Sequence, residues 1–159
     1  MKAKVITVSD GVVGGYREDR SGDALERRLG EIGFEVAERV AIPDGVESVS
    51  AALRSAIEGF SGLVVTTGGT GFTPRDLTPE GTMLVLDRQA PGLAERSRAA
   101  SPLGALSRGL AGTAGTALIV NLPGSPRGAI ESLDAVAGVL FHALELLTGE
   151  STEHPESSR

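Results

Sequence analysis

The chain has 159 residues, of which 40% are hydrophobic and 23% charged, and this composition indicates one soluble domain with a single core. The absence of cysteine excludes disulfides, thiolate nucleophiles and Cys-rich metal sites, and two histidines give little basis for a histidine zinc site or a Ser-His-Asp triad. A net charge of −6 argues against a broad nucleic-acid-binding surface.

The hydrophobic runs predict a cytoplasmic protein. No apolar stretch approaches the roughly 18 residues that a membrane span requires. The first apolar run reaches a charge at Asp10 before a signal-peptide core could form. We therefore expect no contact with a membrane.

Strand and helix patterns alternate in the first half of the chain. Short runs that are β-branched or alternate in polarity predict strands, at residues 4–9, 34–42 and 63–65. Apolar residues at helical spacing predict a helix from its cap at Ser21 to its stop at Gly33, and another over 46–60.

The second half continues the alternation. The run Thr78-Pro79-Glu80 predicts a helix start with Thr78 as its N-cap, and Pro91 begins another helix. Strand patterns follow, a glycine-weakened edge strand over 109–116 and a buried strand over 117–121. Ser125 caps a long last helix that closes a domain of residues 1–148, and residues 149–159 form a polar tail that we expect to be disordered.

This alternation predicts an α/β fold, with a mostly parallel sheet and helices on both of its faces. In such folds, ligands bind where the carboxyl ends of the strands open into loops. The loops at that edge are polar or rich in glycine, and they comprise Ser9-Asp10, Asp44, 66–76 and 122–125. The sequence therefore predicts a site along this edge.

The loop TTGGTG at 66–71 is the strongest of these signals. Amides at Gly68, Gly69 and Gly71 can turn toward one point and bind an anion such as phosphate. The loop is not a Walker motif, because no lysine follows at the required spacing, and Pro74 breaks a dinucleotide-binding pattern. A flexible strand-to-helix connector remains the alternative.

Two aspartates flank this loop in the predicted sheet. A carboxylate beside a phosphate is repulsive unless a cation lies between them, so Asp44 and Asp76 point to Mg²⁺. Each has a structural alternative, since Asp44 and Glu47 form a passable capping box and Asp76 can close its own loop.

Weaker signals lie elsewhere. The junction at 121–126 offers a helix N-terminus to an anion but also reads as an ordinary Ser-Pro helix start. Ser107 and Arg108 precede the edge strand, whereas Tyr16 and Arg17 are interpreted as solvated loop residues. Together with the glycine loop, these features fit phosphoryl or nucleotidyl transfer, which needs positioning and charge neutralisation more than a covalent nucleophile.

In combination, the motifs resemble the molybdenum-cofactor biosynthesis family of the Mog/MoaB type. The resemblance covers roughly residues 3–148 and is specific only as a set. It rests on TTGGTG at 66–71, DLTPE at 76–80, NLPGSP at 121–126, Ser9-Asp10, Ile42-Pro43-Asp44 and Leu106-Ser107-Arg108.

The resemblance implies a three-layer α/β/α sandwich, with a mostly parallel sheet and one antiparallel edge strand, usually assembled as a homotrimer. It implies Mg²⁺-dependent transfer of AMP from ATP to the phosphate of molybdopterin, with release of pyrophosphate. The adenylylated product would pass to a molybdate-inserting enzyme. A non-catalytic molybdopterin carrier and a nucleotide-pyrophosphate hydrolase are the alternatives.

The resemblance also implies roles for single residues. Asp44 and Asp76 would be the catalytic carboxylates and Mg²⁺ ligands. The amides and hydroxyls of the glycine loop would hold phosphate, at Thr67, Gly68, Gly69, Thr70 and Gly71. Further residues would line the pterin and nucleotide pocket, namely Ser9, Asp10, Ser107, Pro123, Gly124 and Ser125.

Overall fold

The structure, a computed structural model, describes residues 1–150, so most of the predicted tail lies outside the described residues. A six-stranded sheet forms its centre, in the order β2-β1-β3-β6-β5-β4. The strands are β1 Lys2–Val8, β2 Glu35–Ile42, β3 Gly62–Thr67, β4 Arg88–Gln89, β5 Ala111–Ala114 and β6 Ala117–Leu122.

The predicted strand directions are confirmed. Strands β2, β1, β3 and β6 are parallel neighbours, and β5 pairs antiparallel with β6. The two-residue β4 was not predicted, and it pairs antiparallel with β5 on the outer side. The strand predicted over 109–116 therefore lies next to the edge, because β4 covers it.

Helices cover both faces of the sheet, as expected. They are α1 Asp10–Val13, α2 Arg20–Glu31, α3 Val46–Ile57, α4 Thr78–Met83, α5 Pro91–Arg98 and α6 Pro126–Thr148, with a 3₁₀ turn over Pro102–Leu106. Neighbouring residues of β3 face opposite ways, since Val65 packs with α2 and α6 while Val64 packs with α3. Two apolar cores thus separate three layers, and β3 is buried along its whole length.

The helix starts differ from the sequence prediction in two places. Asp19 rather than Ser21 caps α2, because its carboxylate accepts a hydrogen bond from the Gly22 amide at 3.0 Å. Thr78 is the first residue of α4 and not its N-cap, since its hydroxyl is used elsewhere. Ser125 does cap α6 as predicted. The short α1 and the 3₁₀ turn were not predicted.

The register places the candidate loops together. Thr7 of β1 is paired with Thr67 of β3, and Thr67 is paired with Leu122 of β6, so these three strands end at one level. The loops that follow them therefore meet at the same edge of the sheet. No helix among residues 1–150 is long and apolar enough to span a membrane.

Candidate functional site

The loops at the carboxyl edge of the sheet surround one cavity of about 1210 Å³. All but one of the predicted site residues line it, and these are Ser9, Asp44, Thr67, Gly68, Gly69, Thr70, Gly71, Asp76, Ser107, Pro123, Gly124 and Ser125. Asp10 is the exception. The predicted location at the strand ends is thus the location of the cavity, while the role of each residue in binding stays a prediction.

Thr78 holds the first half of the glycine loop by two hydrogen bonds to its carbonyl oxygens. Its hydroxyl donates to the carbonyl of Gly68 at 2.9 Å, and its amide donates to the carbonyl of Gly69 at 3.0 Å. The N–H and C=O of a trans peptide point in opposite directions, and the described chain has no cis peptide. The amides of Gly69 and Thr70 therefore point away from Thr78.

Arg108 holds the second half in the same way. Its backbone amide donates to the carbonyl of Thr70 at 2.8 Å, and its Nε donates to the carbonyl of Gly71 at 2.9 Å. By the same geometry, the amides of Gly71 and Phe72 point away from Arg108. Neither Thr78 nor Arg108 lines the cavity.

Four consecutive amides are left available by this arrangement. Those of residues 69–72 donate to no acceptor within residues 1–150, whereas the Gly68 amide donates to the Leu122 carbonyl at 3.1 Å. Successive free amides of this kind form an anion-binding concavity. The loop is held by hydrogen bonds at each peptide, which argues against a flexible connector.

Two glycines of the loop are required by its conformation. Gly68 and Gly69 have φ of +99° and +66°, a region that side chains with a Cβ disfavour. A Cβ at Gly68 would lie 2.3 Å from the Val8 carbonyl oxygen, and one at Gly69 would lie 2.3 Å from Thr78 Oγ1. The glycines are therefore required partly because Val8 and Thr78 of the protein itself lie so close to the loop.

Asp44 does not cap the following helix. The N-cap of α3 is Gly45, which has no side-chain hydrogen bond, so the capping-box alternative is wrong. Instead, Asp44 Oδ2 accepts from the Asp10 amide at 2.8 Å, and Asp10 Oδ1 accepts from the Asp44 amide at 3.0 Å. Arg75 contacts both, through the Asp10 carboxylate at 3.0 Å and the Asp44 carbonyl at 2.8 Å.

Asp10 is thus occupied outside the cavity, which corrects its expected place in the pocket lining. The hydrogen bond from Arg75 lowers the pKa of the Asp10 carboxyl below its usual value. Asp10 therefore stays ionised at neutral pH and ties Arg75 to Asp44. Its structural role is to hold Asp44 at the cavity wall.

Asp76 partly closes its own loop, as the alternative proposed. Its Oδ2 accepts from the Thr73 amide at 2.9 Å, and its amide donates to the Thr73 carbonyl at 3.0 Å. Nevertheless, Asp76 lines the cavity beside the glycines, since a Cβ at Gly71 would lie 2.9 Å from Asp76 Oδ2. Asp44 Oδ1 lies correspondingly close to Gly69, at 3.3 Å from a Cβ built there.

This donor set fits Mg²⁺ that is shared with a phosphate. Among residues 1–150, Asp44 and Asp76 each use one carboxylate oxygen on a backbone amide, which leaves the other for a cation. Residues 1–150 contain no group of three or more His, Asp or Glu side chains that could hold a metal ion without further ligands. Mg²⁺ is commonly held by one or two carboxylates together with substrate phosphates and water.

Three serines at the cavity wall share one arrangement. The hydroxyl oxygens of Ser9, Ser107 and Ser125 each accept a backbone amide, at 3.1 to 3.2 Å. A hydroxyl that accepts in this way keeps its own proton for donation. The three serines therefore supply oriented donors that a ligand in the cavity can use.

The structure leaves fewer groups of the loop available to phosphate than the sequence predicted. The Thr67 hydroxyl donates to the Pro123 carbonyl at 2.7 Å, and the Gly68 amide is bonded to Leu122. Neither group is available to phosphate, so these two parts of the expectation are wrong. The turns are packed closely here, because a Cβ at Gly124 would lie 3.2 Å from the Gly68 Cα.

Sequence reasoning missed residues at the cavity rim and behind the loop. Tyr16 and Arg17 line the cavity, although the sequence suggested only solvation, and Tyr16 is 91% exposed there. Arg108 was noted only as a positive charge beside Ser107. Its proximity to Ser107 was a signal, but the partners of its side chain are distant in sequence.

Comparisons with known proteins identify the family of the chain. Residues 4–142 match the family model "Probable molybdopterin binding domain". The chain is 36% identical over 152 residues to the molybdopterin adenylyltransferase of Helicobacter pylori, covering 91% of this chain and 86% of that protein. It is 37% identical over 150 residues to the Drosophila melanogaster molybdenum cofactor synthesis protein cinnamon, covering 90% of this chain.

The chain spans only part of some relatives, 25% of cinnamon and 47% of the Synechococcus elongatus molybdenum cofactor biosynthesis bifunctional protein. Among solved structures, MoaB of Thermus thermophilus has 46% identity and a TM-score of 0.88, over 96% of this chain and 99% of that chain. The family match and the similarity to MoaB agree with the α/β fold described above. The chain belongs to the Mog/MoaB family of molybdopterin-binding proteins in molybdenum cofactor biosynthesis.

Proposed function

We propose that the chain is a molybdopterin adenylyltransferase, which transfers AMP from ATP to the terminal phosphate of molybdopterin with Mg²⁺ and releases pyrophosphate. One observation carries the proposal: the free amides of Gly69, Thr70 and Gly71 lie beside two carboxylates, Asp44 and Asp76, at one cavity. The names of relatives from Helicobacter pylori and Escherichia coli, at 36% and 35% identity, support it.

The amides would bind the phosphates of ATP. Backbone N–H groups neutralise negative charge without a counter-ion, and groups already fixed in direction need no reorganisation during the reaction. The contacts from Thr78 and Arg108 fix them in this way. Asp44 and Asp76 would hold Mg²⁺, which would supply further neutralisation of the charge on the phosphates.

The reaction requires no nucleophile from the protein. An oxygen of the pterin phosphate forms the new bond to the α-phosphorus of ATP, and the bond from that phosphorus to the bridging oxygen of pyrophosphate breaks. The residues that line the cavity include neither cysteine nor histidine, which agrees with this division of labour. The hydroxyls of Ser9, Ser107 and Ser125 would orient the two substrates.

The test is to mix purified protein with molybdopterin, ATP and Mg²⁺ and to detect the adenylylated pterin by mass. We expect Asp76→Asn to reduce turnover about a hundredfold or more, because it removes a ligand charge needed as the phosphate charge develops. Pterin binding should remain largely intact. As a matched control, Asp134→Asn changes a carboxylate on α6 that pairs with Arg28 of α2, and this variant should leave turnover unchanged.

Other outcomes would identify other functions. Loss of both turnover and pterin binding in a folded Asp76→Asn protein would contradict the metal role. Binding of molybdopterin without release of pyrophosphate would favour a carrier. Hydrolysis of ADP-ribose or a similar compound without pterin would favour a nucleotide-pyrophosphate hydrolase. We propose that the active protein is a homotrimer that passes its product to a molybdate-inserting enzyme.

A further inference from the structure

The direction of the loop amides depends on two residues that do not line the cavity. Thr78 binds the carbonyls of Gly68 and Gly69, and Arg108 binds those of Thr70 and Gly71. Each of these four consecutive peptides is therefore held by a hydrogen bond from one of two residues. No other hydrogen bond to these four carbonyls exists within residues 1–150.

Arg108 also connects the loop to the catalytic candidate beside it. Its guanidinium donates to the carbonyl of Asp76 and forms an ion pair with Glu80, in addition to its bond with Gly71. Because a guanidinium is planar and has five donors, its nitrogens can reach several acceptors in a fixed geometry. One side chain thus fixes both an amide of the phosphate concavity and the backbone that carries Asp76.

The Glu80 carboxylate pairs with the positive charge of the Arg108 guanidinium. Arg108 hydrogen bonds to it and holds the pKa of Glu80 below its usual value, so the Glu80 carboxyl is ionised at neutral pH. The guanidinium is therefore paired with a carboxylate that does not line the cavity either. It does not line the cavity, and its contribution to an anion bound there is geometric.

We propose that Arg108 and Thr78 are positioning residues of the phosphate site, which set the direction of the amides of residues 69–72 and do not touch the ligand. The inference rests on the proposed function only in assigning that phosphate to ATP. Replacing the Thr78 side chain frees the Gly68 carbonyl, and replacing that of Arg108 frees the Gly71 carbonyl, so the corresponding peptide can rotate and its amide loses its fixed direction. The backbone bonds to Gly69 and Thr70 remain in both variants.

The test measures binding of inorganic pyrophosphate and of ATP, each with Mg²⁺, by calorimetry. Arg108→Gln should weaken pyrophosphate binding about tenfold to a hundredfold, because it releases charge-assisted bonds to two peptides. Arg108→Lys keeps the positive charge but not the planar set of guanidinium donors. It should therefore recover only a small part of the pyrophosphate affinity that Arg108→Gln loses. Complete restoration by lysine would show that charge alone matters and would overturn the geometric role.

Thr78 has its own pair of variants. Thr78→Val keeps the shape of this buried side chain but removes the hydroxyl, and we expect pyrophosphate affinity to fall about tenfold. Thr78→Ser keeps the donor and should bind as the wild type does. Equal affinities for the two variants would contradict the proposed role of the hydroxyl.

A matched control is available for the arginine. Arg96 donates from Nε to the carbonyl of Ala135 at 2.6 Å, away from the glycine loop. Arg96→Gln should leave pyrophosphate binding unchanged. Melting temperatures of all variants separate loss of folding from loss of binding, because a general structural defect lowers the folded fraction without changing the affinity of folded molecules.

Steady-state kinetics give a second readout. Arg108→Gln should raise the KM for ATP and lower kcat while leaving the KM for molybdopterin unchanged. If the wild type transfers no AMP but the variants still weaken pyrophosphate binding, the inference stands and the proposed function fails. If the wild type transfers AMP and Arg108→Gln matches Arg96→Gln, or if the wild type binds no pyrophosphate, the inference fails.

Discussion

Gly69→Ala tests the packing of the glycine loop quantitatively. At φ of +66°, alanine pays about 1–2 kcal/mol for the left-handed conformation. Its Cβ would also lie 2.3 Å from Thr78 Oγ1, the donor to the Gly68 carbonyl, and displacing that bond costs about 1 kcal/mol more. We therefore expect a total loss of about 2–3 kcal/mol in the free energy of unfolding.

Gly115→Ala is the matched control for backbone strain. Gly115 has φ of +57°, and a Cβ there meets nothing within 4 Å, so only the cost of the left-handed conformation applies. Urea unfolding of both variants should show Gly69→Ala to be less stable by about 1 kcal/mol. Calorimetry with pyrophosphate should show weaker binding for Gly69→Ala alone. Equal stability and equal binding in the two variants would refute the reasoning.

Two further variants probe neighbouring contacts. Gly71→Ala places a Cβ 2.9 Å from Asp76 Oδ2, so turnover should fall about tenfold or more, whereas Gly92→Ala, whose Cβ meets nothing within 4 Å, should not change it. The pKa of Glu80 is lowered from its usual value of 4.5 by Arg108, so its contribution to stability is present above that pH and is lost as the pH falls through the lowered pKa. The melting-temperature difference between wild type and Glu80→Gln should therefore be present at neutral pH and shrink in acid; a difference that is constant with pH would contradict the ion pair.

The fold and the place of the site were predictable because they depend on local patterns. Alternating strands and helices require a parallel arrangement, and parallel strands bring their carboxyl ends to one edge. The glycines at 68, 69 and 71 marked the loop, since a direction change alone needs fewer of them. Ser125 was identified correctly as a cap because a cap depends only on the residues that follow it.

The partners of individual side chains were not predictable from local spacing. Asp44 looked like a helix cap, but its carboxylate accepts a hydrogen bond from the amide of Asp10, 34 residues earlier. Thr78 looked like an N-cap, but its hydroxyl is used by the carbonyl of Gly68 across the loop. In both cases a tertiary contact satisfies the side chain, and the local motif provides no sign of it.

Arg108 is the clearest example. Its side-chain partner Gly71 lies 37 residues earlier in the chain. The contact exists because the segment that leads into antiparallel β5 lies at the carboxyl end of β6, where the glycine loop follows the neighbouring strand β3. A single sequence shows only a serine and an arginine before a strand. The same is true of β4, whose two residues pair with β5 and carry too little pattern to identify a strand.

The central claim is that the free amides of residues 69–72 bind phosphate. The most direct measurement is a titration of ¹⁵N-labelled protein with ATP and Mg²⁺, followed by the chemical shifts of the backbone amides. We predict large, saturable shifts for Gly69, Thr70 and Gly71, and a small one for Gly68, whose amide is already bonded to Leu122. Saturable binding that leaves the amides of residues 69–72 unshifted would contradict the account.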